Sequence, residues 1–581
     1  MYILGISCYY HDASAALLQD GKIIAAAEEE RFTRKKHDQS FPVNAIQFCL
    51  EKAQITSDKI EYIAFYEKPI LKFDRLLMQH IAMFPFSYWS FYKAMPNWIV
   101  EKLRVPTTIR KKLKYSKNKF KGKLLFIEHH MAHAASSDLV SPYDEAAILT
   151  VDGVGEWTTT AYGFAKNNEI TLSKKIDFPH SLGLLYSAVT AYLGFKVNND
   201  EYKVMGLAPY GKPVYYEQMK KLIDVKEDGS YALDMSYFTY HYKLKSISNK
   251  FIEEFGPARK PESQLEQRHK DIAASIQKLT EQVLFQMLNH LYAETKCPNL
   301  CMAGGVALNS VANGKITKNT PFKNIFIQPA ASDAGTALGA ALYVWHTILG
   351  NKREYVQTTS YFGPSFTTEQ IKQFLDDNKI IYTKYDEKEI PKKTAELINQ
   401  NHVIGWFQGA MEWGPRALGN RSIMSNASHP DMKDILNAKV KHREMFRPFA
   451  PVILQEKVHE WFEIDKDEES FMLFVYPFKE EKRKFVPSVV HVDGSGRLQT
   501  INKEQNEAYY SVIKEYEKLT GIPILINTSF NIRGEPIVCT PQQAYKCMMG
   551  TGIDYLVIDT FIIARKDNPK DMWDSEKLAK D

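Results

Sequence analysis

Two stretches of this chain share one plan. The first begins at Tyr2 with a strand, YILGIS, then a loop, then ASAALLQ and KIIAAAEEE joined by Asp20-Gly21. From residue 146 the design recurs: AAILTVDG, then GEWTTTAYGFA, then ITLSKKID after a turn at Asn167-Asn168. Asp-Gly between apolar runs is a strong two-residue hairpin signal, because both central positions take positive φ. The copies start about 145 residues apart, and self-similarity on that scale predicts a duplicated α/β fold.

Residues 124–155, LLFIEHHMAHAASSDLVSPYDEAAILTVDGVG, lead into the second copy. The apolar run Leu124 to Ile127 reads as a buried strand that feeds a short helix. His129 and His133 are four apart and share one face of that helix. His130 points roughly 100° away on the 3.6-residue period and is a poorer candidate. The strand Ala146 to Val151 then delivers Asp152 into a turn marked by Gly153 and Gly155. Two imidazoles and a carboxylate can hold a divalent transition metal with positions left open for substrate oxygens. The plainer alternative is a helix start with surface histidines and a turn aspartate. The glycine turn favours the first reading, since it looks like a phosphate loop at a strand end. Three further glycine-marked segments follow, at 201–213, 298–316 and 324–345. The first reads as a loop and the other two as strand, turn and helix. Asp333 sits just after a strand, where a fourth ligand would be useful.

At 581 residues the chain calls for two or more domains. A formal charge of +5 does not argue for a dedicated nucleic-acid binder. The six cysteines form no CxxC pair and no signal peptide is evident, so reduced thiols in a cytoplasmic protein are expected. No stretch is a convincing membrane span. The nearest, Leu76 to Val100, is broken by Gln79, His80, Pro85, Lys93 and Pro96. It is rich in aromatics and is followed by a basic run, IRKKLKYSKNKFKGK, at 109–123. The insertion at 70–123 either touches a membrane surface or anionic partner, or packs on the core with a solvated basic loop. A polar boundary lies near 349–360. The expected division is residues 1–350, a linker at 351–357, a second domain at 358–565 and a polar tail at 566–581.

Beyond the boundary a helix at 367–378, a strand IIYTKY and a helix KEIPKKTAELINQN are predicted. Apolar segments at 403–423, 436–454 and 522–538 carry Arg416, Arg421, Lys439, Lys441, Arg443, Arg447 and Arg533. Cations beside buried strands need partners. Salt bridges to Glu412, Glu444 or Glu535 are one answer. A convergent pocket for a small dianion, gripped by guanidinium forks, is the other.

The duplicated opening resembles the actin, hexokinase and heat-shock ATPase superfamily, with two RNase H-like halves and nucleotide in the cleft. The motifs HDASAALL, AEEERFTRKKH, EHHMAH, DGVGE, YKVMGLAPYG, GGVALN, SDAGTALGAAL, WGPRALGNRS, FRPFAP and NTSFNIRGEPI resemble, in order, those of the NodU/CmcH-type O-carbamoyltransferases. The match runs from Met1 to about residue 565. The resemblance implies a duplicated actin/sugar-kinase-like N-terminal domain and a C-terminal YrdC-like α+β domain. It implies an enzyme, an ATP-dependent O-carbamoyltransferase of biosynthetic type. Carbamoyl phosphate and ATP, with Mg, would give carbamoyl adenylate, and a hydroxyl of a natural product, sugar or glycan would accept the carbamoyl group. It further implies His129, His133, Asp152 and Asp333 as metal ligands, for iron(II) in close relatives. His11 would be the general base, as a near-neutral pKa permits, and Lys36 would steady the adenylate phosphate or the carbonyl oxygen. Gly153, Gly155, Gly304, Gly305 and Asn309 would line the nucleotide site. Arg416, Lys441, Arg447, Asn527, Ser529 and Arg533 would form the carbamoyl phosphate and adenylate pocket. The alternatives are a tRNA threonylcarbamoyl-type transferase, a kinase of the actin-like superfamily, or a non-catalytic nucleotide-binding module. No nucleic-acid partner is expected, and a symmetric homodimer is the default assembly.

Overall fold

The computed structural model describes residues 1–100, 102–113 and 122–569. The described chain divides into two compact units. One comprises Met1–Glu29 and His37–Gln357, the other Glu30–Lys36 and the chain from Thr358. Residues 114–121 of the basic run and 570–581 of the polar tail lie outside the described residues.

The first unit holds two five-stranded sheets of identical topology. In the first, β1 (Tyr2–Ser7), β2 (Ser14–Gln19), β3 (Lys22–Glu28), β4 (Ile60–Phe65) and β5 (Lys123–Phe126) run in the order β3-β2-β1-β4-β5. The hairpin pairs are antiparallel, and β4 and β5 join parallel to β1 and to each other. In the second sheet, β6 (Glu145–Val151), β7 (Thr158–Lys166) and β8 (Glu169–Asp177) are the hairpin strands. After a small hairpin of β9 (Ile223–Val225) and β10 (Tyr231–Leu233), the parallel strands β11 (Asn299–Ala303) and β12 (Asn324–Ile327) complete it. The order β8-β7-β6-β11-β12 repeats the first sheet strand for strand, with the same senses. This is the duplication that the two similar stretches of sequence predict. Asp20 (φ +49°) and Gly21 (φ +80°) close the first hairpin as the dipeptide predicts.

Small residues let the helices of this unit approach closely. The helix Asp333–Tyr343 packs on β1 and on α6 (His129–Asp138). A Cβ on Gly5 would fall 1.8 Å from the Ala337 carbonyl oxygen, and one on Gly339 would fall 1.8 Å from that of Ala132. The segment read as a loop at 201–213 is instead helical from Glu201 to Leu207. A buried Lys203–Asp200 ion pair at 3.0 Å anchors its first turn, which a composition-based reading cannot anticipate.

The second unit is built on an eight-stranded mixed sheet. Its strands are β13 (Thr383–Lys384), β14 (Ile404–Phe407), β15 (Arg421–Asn426), β16 (Ala450–Leu454), β19 (Gln499–Ile501), β20 (Ile524–Ser529), β21 (Tyr555–Ile558) and β22 (Phe561–Ala564), with β17 (Val475–Pro477) and β18 (Ser495–Arg497) paired separately. The order is β13-β22-β21-β14-β15-β20-β16-β19. Ile398, Trp406, Tyr509, Ile513 and Tyr516 form its core beneath the helices Ile390–Asn399 and Glu507–Thr520. The strand expected over IIYTKY shrinks to the two exposed residues of β13, an edge strand paired with β22. Residues Glu30–Lys36 join this unit: Phe32 packs against Met411, Ala417, Ile537 and Cys539. Arg31 donates to the Gly414 carbonyl at 2.8 Å and Arg34 to those of Ile537 and Pro536 at 2.7 and 2.6 Å.

Candidate metal centre

Three strand ends of the first unit converge on one point. β5 leads into α6, whose first turn and second turn present His129 and His133. β6 ends at Val151, directly before Asp152, and β12 leads to Asp333, the first residue of its helix. One donor atom from each of these four side chains lies within 4.8 Å of all the others, and all four residues are buried. The two Nε2 atoms face each other at 3.1 Å. His129 Nε2 lies 3.2 Å from Asp152 Oδ2 and 3.6 Å from Asp333 Oδ1. His133 Nε2 lies 3.9 and 3.7 Å from the same atoms. Ligand atoms bound to one cation at about 2.1 Å would stand about 3.0–3.4 Å apart in octahedral or tetrahedral geometry, so the cluster is close to that size. Among the described residues none donates a hydrogen bond to either oxygen of Asp333, although both are buried, and such a carboxylate is costly unless a cation meets it. The N₂O₂ donor set suits iron, zinc or manganese.

The surroundings fix these donors. The Gly305 N–H donates to Asp152 Oδ1 at 2.8 Å, leaving Oδ2 toward the imidazoles. Glu156 accepts the His129 backbone N–H at 3.1 Å and that of Lys68 at 2.8 Å. His130 spends both nitrogens elsewhere, on Thr150 Oγ1 at 2.7 Å and the Thr158 carbonyl at 2.9 Å. Burial pulls the His129 imidazole down, but Asp333 and Asp152 more than offset this and leave it raised. Burial and the charge of His129 lower His133. Burial would raise Asp152, yet the hydrogen bond from His129 and the field of His133 hold it well below the usual carboxylate range.

His11, in the β1–β2 loop, points Nε2 at Asp333 Oδ2 from 3.9 Å. Its Nδ1 is 3.0 Å from Asp12 Oδ2, and His37 Nδ1 holds the other Asp12 oxygen at 2.6 Å. Burial would lower its pKa, but Asp333 and Asp12 push it up to about 10. The near-neutral value expected from the residue type therefore does not hold in this structure, because two carboxylates flank the ring.

The glycines expected to line a nucleotide site adjoin the same centre. A Cβ on Gly155 would stand 3.0 Å from His129 Cβ and Cδ2, so this position keeps room for the imidazole. The Gly153 carbonyl accepts from Ser181 Oγ at 2.7 Å. Gly304 takes φ +94°, where a Cβ would fall 2.3 Å from the Val151 carbonyl oxygen. Asn309 caps the short helix Ser310–Asn313 and exchanges two hydrogen bonds with Gln277 at 3.0 and 3.1 Å. Residue-type reasoning missed Tyr10, Lys72 and Arg75. Arg75 is buried, donates to the Gly155 carbonyl at 3.1 Å and lies over the Phe178 ring. Lys72 pairs with buried Glu67 and lies over the Tyr10 ring. The available signal was two cations three apart on one helix, among Ile70, Leu71, Phe73, Leu76 and Leu77.

The second unit gathers the other predicted residues. Lys441 is buried, and its ammonium donates to the Ser529 carbonyl, to Ser529 Oγ at 3.4 Å and to Asn531 Oδ1 at 2.8 Å. Burial, then Arg443, Arg447 and Lys36, hold it well below the ordinary lysine value. Lys36 thus belongs to this cationic group, whereas His11 belongs to the first unit. Glu444 faces Arg447 at 3.6 Å and Arg533 at 3.9 Å, one carboxylate against two guanidiniums. Glu535 faces Arg34 at 3.6 Å, and Glu412 accepts three backbone N–H groups, from Leu418, Asn420 and Arg421. Asn527 pins the Ala417 carbonyl and Gln499 from 3.1 and 2.7 Å. Arg416 is half-buried in the loop between β14 and β15. Arg421 is structural: it stacks 3.6 Å over Phe407 and donates to the carbonyls of Gln408, Pro364 and Gly409.

Comparison with known proteins bears on this arrangement. Residues 2–342 match the family model described as Carbamoyltransferase N-terminus, and residues 395–565 match the one described as Carbamoyltransferase C-terminus. An uncharacterized protein of Synechocystis sp. is 48% identical over 98% of this chain and 97% of its own length. The nodulation protein NolNO of Sinorhizobium fredii is 36% identical over 98% of this chain and 81% of its own. A solved structure, the (R)-2-hydroxyglutaryl-CoA dehydratase component A of Acidaminococcus fermentans, overlays 60% of this chain and 99% of its own at 15% identity. Its TM-score of 0.34 is too low to bear on the fold.

Proposed function

The chain belongs to the carbamoyltransferase family, and from that premise we propose that it is an ATP-dependent O-carbamoyltransferase working in two steps. In the first, carbamoyl phosphate, ATP and water give carbamoyl adenylate, phosphate and pyrophosphate in the second unit, which we read as YrdC-like. In the second, a hydroxyl of a small-molecule or glycan acceptor attacks the carbamoyl carbon in the first unit and AMP leaves.

The observation that carries the reading is the buried cluster of two imidazoles and two carboxylates, with no hydrogen-bond donor to Asp333 among the described residues. His129, His133, Asp152 and Asp333 would hold a divalent cation, iron(II) in our reading, which when bound supplies a Lewis acid and a template for phosphate oxygens. His11 would take the acceptor proton at Nε2, while Asp12 on Nδ1 fixes the ring and its tautomer. A cation neutralising Asp333 would also relieve the largest influence that raises His11. Gly153, Gly155, Gly304 and Gly305 would let backbone approach the adenylate closely. In the second unit, Arg416, Lys441, Arg447, Ser529 and Arg533 would bind the phosphate groups, with Lys36 adding charge and Asn527 positioning the loop.

The test is product analysis. Purified chain with ATP and Mg should release pyrophosphate only when carbamoyl phosphate is present. Pyrophosphate release without carbamoyl phosphate, or ADP in place of AMP, would reject the adenylate route.

A further inference from the structure

The helix α3 (Pro69–Ala82) is built inside out. Its buried face carries Lys72, Arg75 and His80, while Ile70, Leu71, Met78 and Ile81 are exposed. Ile70, Met78 and Ile81 fall at spacings that place them on one side of the helix. The segment that follows continues the exposed apolar face. Phe84, Phe86 and Trp89 are each 70% exposed, with Tyr88 and Tyr92 beside them. The rings of Tyr88, Trp89 and Tyr92 lie within 6.5 Å of one another, on α4 (Tyr88–Val100). Single exposed apolar residues need no explanation, but a contiguous run of this size marks an interaction surface. Polar bonds on the inner side hold the patch in place. Arg75 binds the Gly155 carbonyl, Gln79 the His241 carbonyl at 2.6 Å and Ser90 that of Tyr242 at 2.9 Å.

Charge identifies the occupant. Residues 68–123 contain fourteen Lys and Arg against two acids, although the whole chain is only +5, so the remainder is net acidic. Among the described cations of the segment, Lys93, Arg104, Arg110, Lys111 and Lys112 are exposed. A second copy of this chain would bring the same positive excess against itself in a two-fold interface, which repulsion disfavours. Trp and Tyr at the edge of an apolar face, with lysines and arginines alongside, match the boundary of an anionic bilayer. Among the described residues no helix is long and apolar enough to cross a membrane. We propose that α3 and α4, with Lys93 and with Arg110, Lys111 and Lys112 of the helix Val105–Lys112, form a docking surface for an anionic lipid bilayer on the first unit. On the inner side of α3, Arg75 and Lys72 reach Gly155 and Tyr10, residues that adjoin the candidate metal centre. The proposal does not depend on the reaction assigned to that centre.

The experiment is sedimentation of the full chain with vesicles. One set is pure phosphatidylcholine, and the other contains about a third phosphatidylglycerol. The chain should pellet with the anionic vesicles at low salt and be released at high salt. The double variant Phe86→Glu with Trp89→Glu should weaken partition about tenfold or more while keeping the thermal melt of the parent, since both side chains are exposed. Reversal of Arg110, Lys111 and Lys112 to Glu should do the same through charge. Lack of partition onto anionic vesicles, or partition that survives the double variant, would overturn the proposal. Capture by poly-glutamate or tRNA that needs the same two rings would also overturn it, in favour of a soluble polyanion.

Discussion

Asp138 offers a quantitative test of the buried electrostatics of the first unit. It ends α6, its two buried carboxylate oxygens have no hydrogen-bond partner among the described residues, and the nearest Arg353 nitrogen stays 3.8 Å from the carboxylate. Burial raises its pKa from 3.8 to about 7 against the opposing pull of Arg353. A carboxyl whose folded pKa is raised contributes most below its unfolded pKa, and that contribution is lost as pH rises from about 4 to about 7. At about 1.4 kcal/mol per pKa unit, the easier ionisation of this carboxyl in the unfolded chain lowers stability by about 1.5 kcal/mol at pH 5 and about 4 kcal/mol at pH 8, relative to pH below 4. Asp138→Asn removes that cost. The amide brings unmet polar atoms of its own, worth about 1–3 kcal/mol against it. Arg353 keeps its bonds to the carbonyls of Asp138, Ser141 and Tyr143. The variant should therefore gain on the order of 1–3 kcal/mol at pH 8 and nothing or a small loss at pH 5. Urea unfolding of parent and variant at the two pH values reads this directly. A variant whose stability difference from the parent is the same at pH 5 and pH 8 would show that Asp138 is not held neutral by burial.

Other substitutions separate the roles argued above. Gly155→Ala should crowd His129 and lower metal affinity by about 10–100-fold without unfolding the chain, measured by competition with a chelator. Arg421→Leu should destabilise the second unit by about 3–5 kcal/mol, because it strips buried carbonyls of a donor, and should leave metal content unchanged. Lys441→Met should abolish carbamoyl-phosphate-dependent pyrophosphate release while the metal stays bound, which separate assays of the two will show. Chelation should lower the melting temperature of the parent but not of Asp333→Ala, since only a chain that binds the ion gains stability from it.

The duplicated sheets were legible because hairpin turns and strand patterns are local. Asp20-Gly21 and the apolar runs around it need nothing distant to declare themselves. The paired imidazoles of α6 were legible for the same reason, as spacing on one helix face. What sequence reading missed depends on distant neighbours. Residues 201–207 read as loop because Gly206 and the prolines nearby outweigh a buried Lys203–Asp200 pair that only the folded chain shows. IIYTKY reads as a strand by composition, yet it occupies a sheet edge where only two residues pair. Membership of Glu30–Lys36 in the second unit rests on packing against Met411 and Ile537, hundreds of residues away. Arg75 and Lys72 read as solvated cations of an amphipathic helix, and only the fold shows that it is their side that is buried. The elevated pKa of His11 comes from Asp333, more than 300 positions along the chain.

We propose above that four side chains from three strand ends clasp one divalent cation. Elemental analysis of the chain purified without oxygen, beside His133→Ala and Asp333→Ala, tests it most directly. One equivalent of iron, zinc or manganese in the parent, lost in both variants, is the predicted result. Variants that keep the metal of the parent, or a parent that transfers carbamoyl groups with none bound, would contradict it.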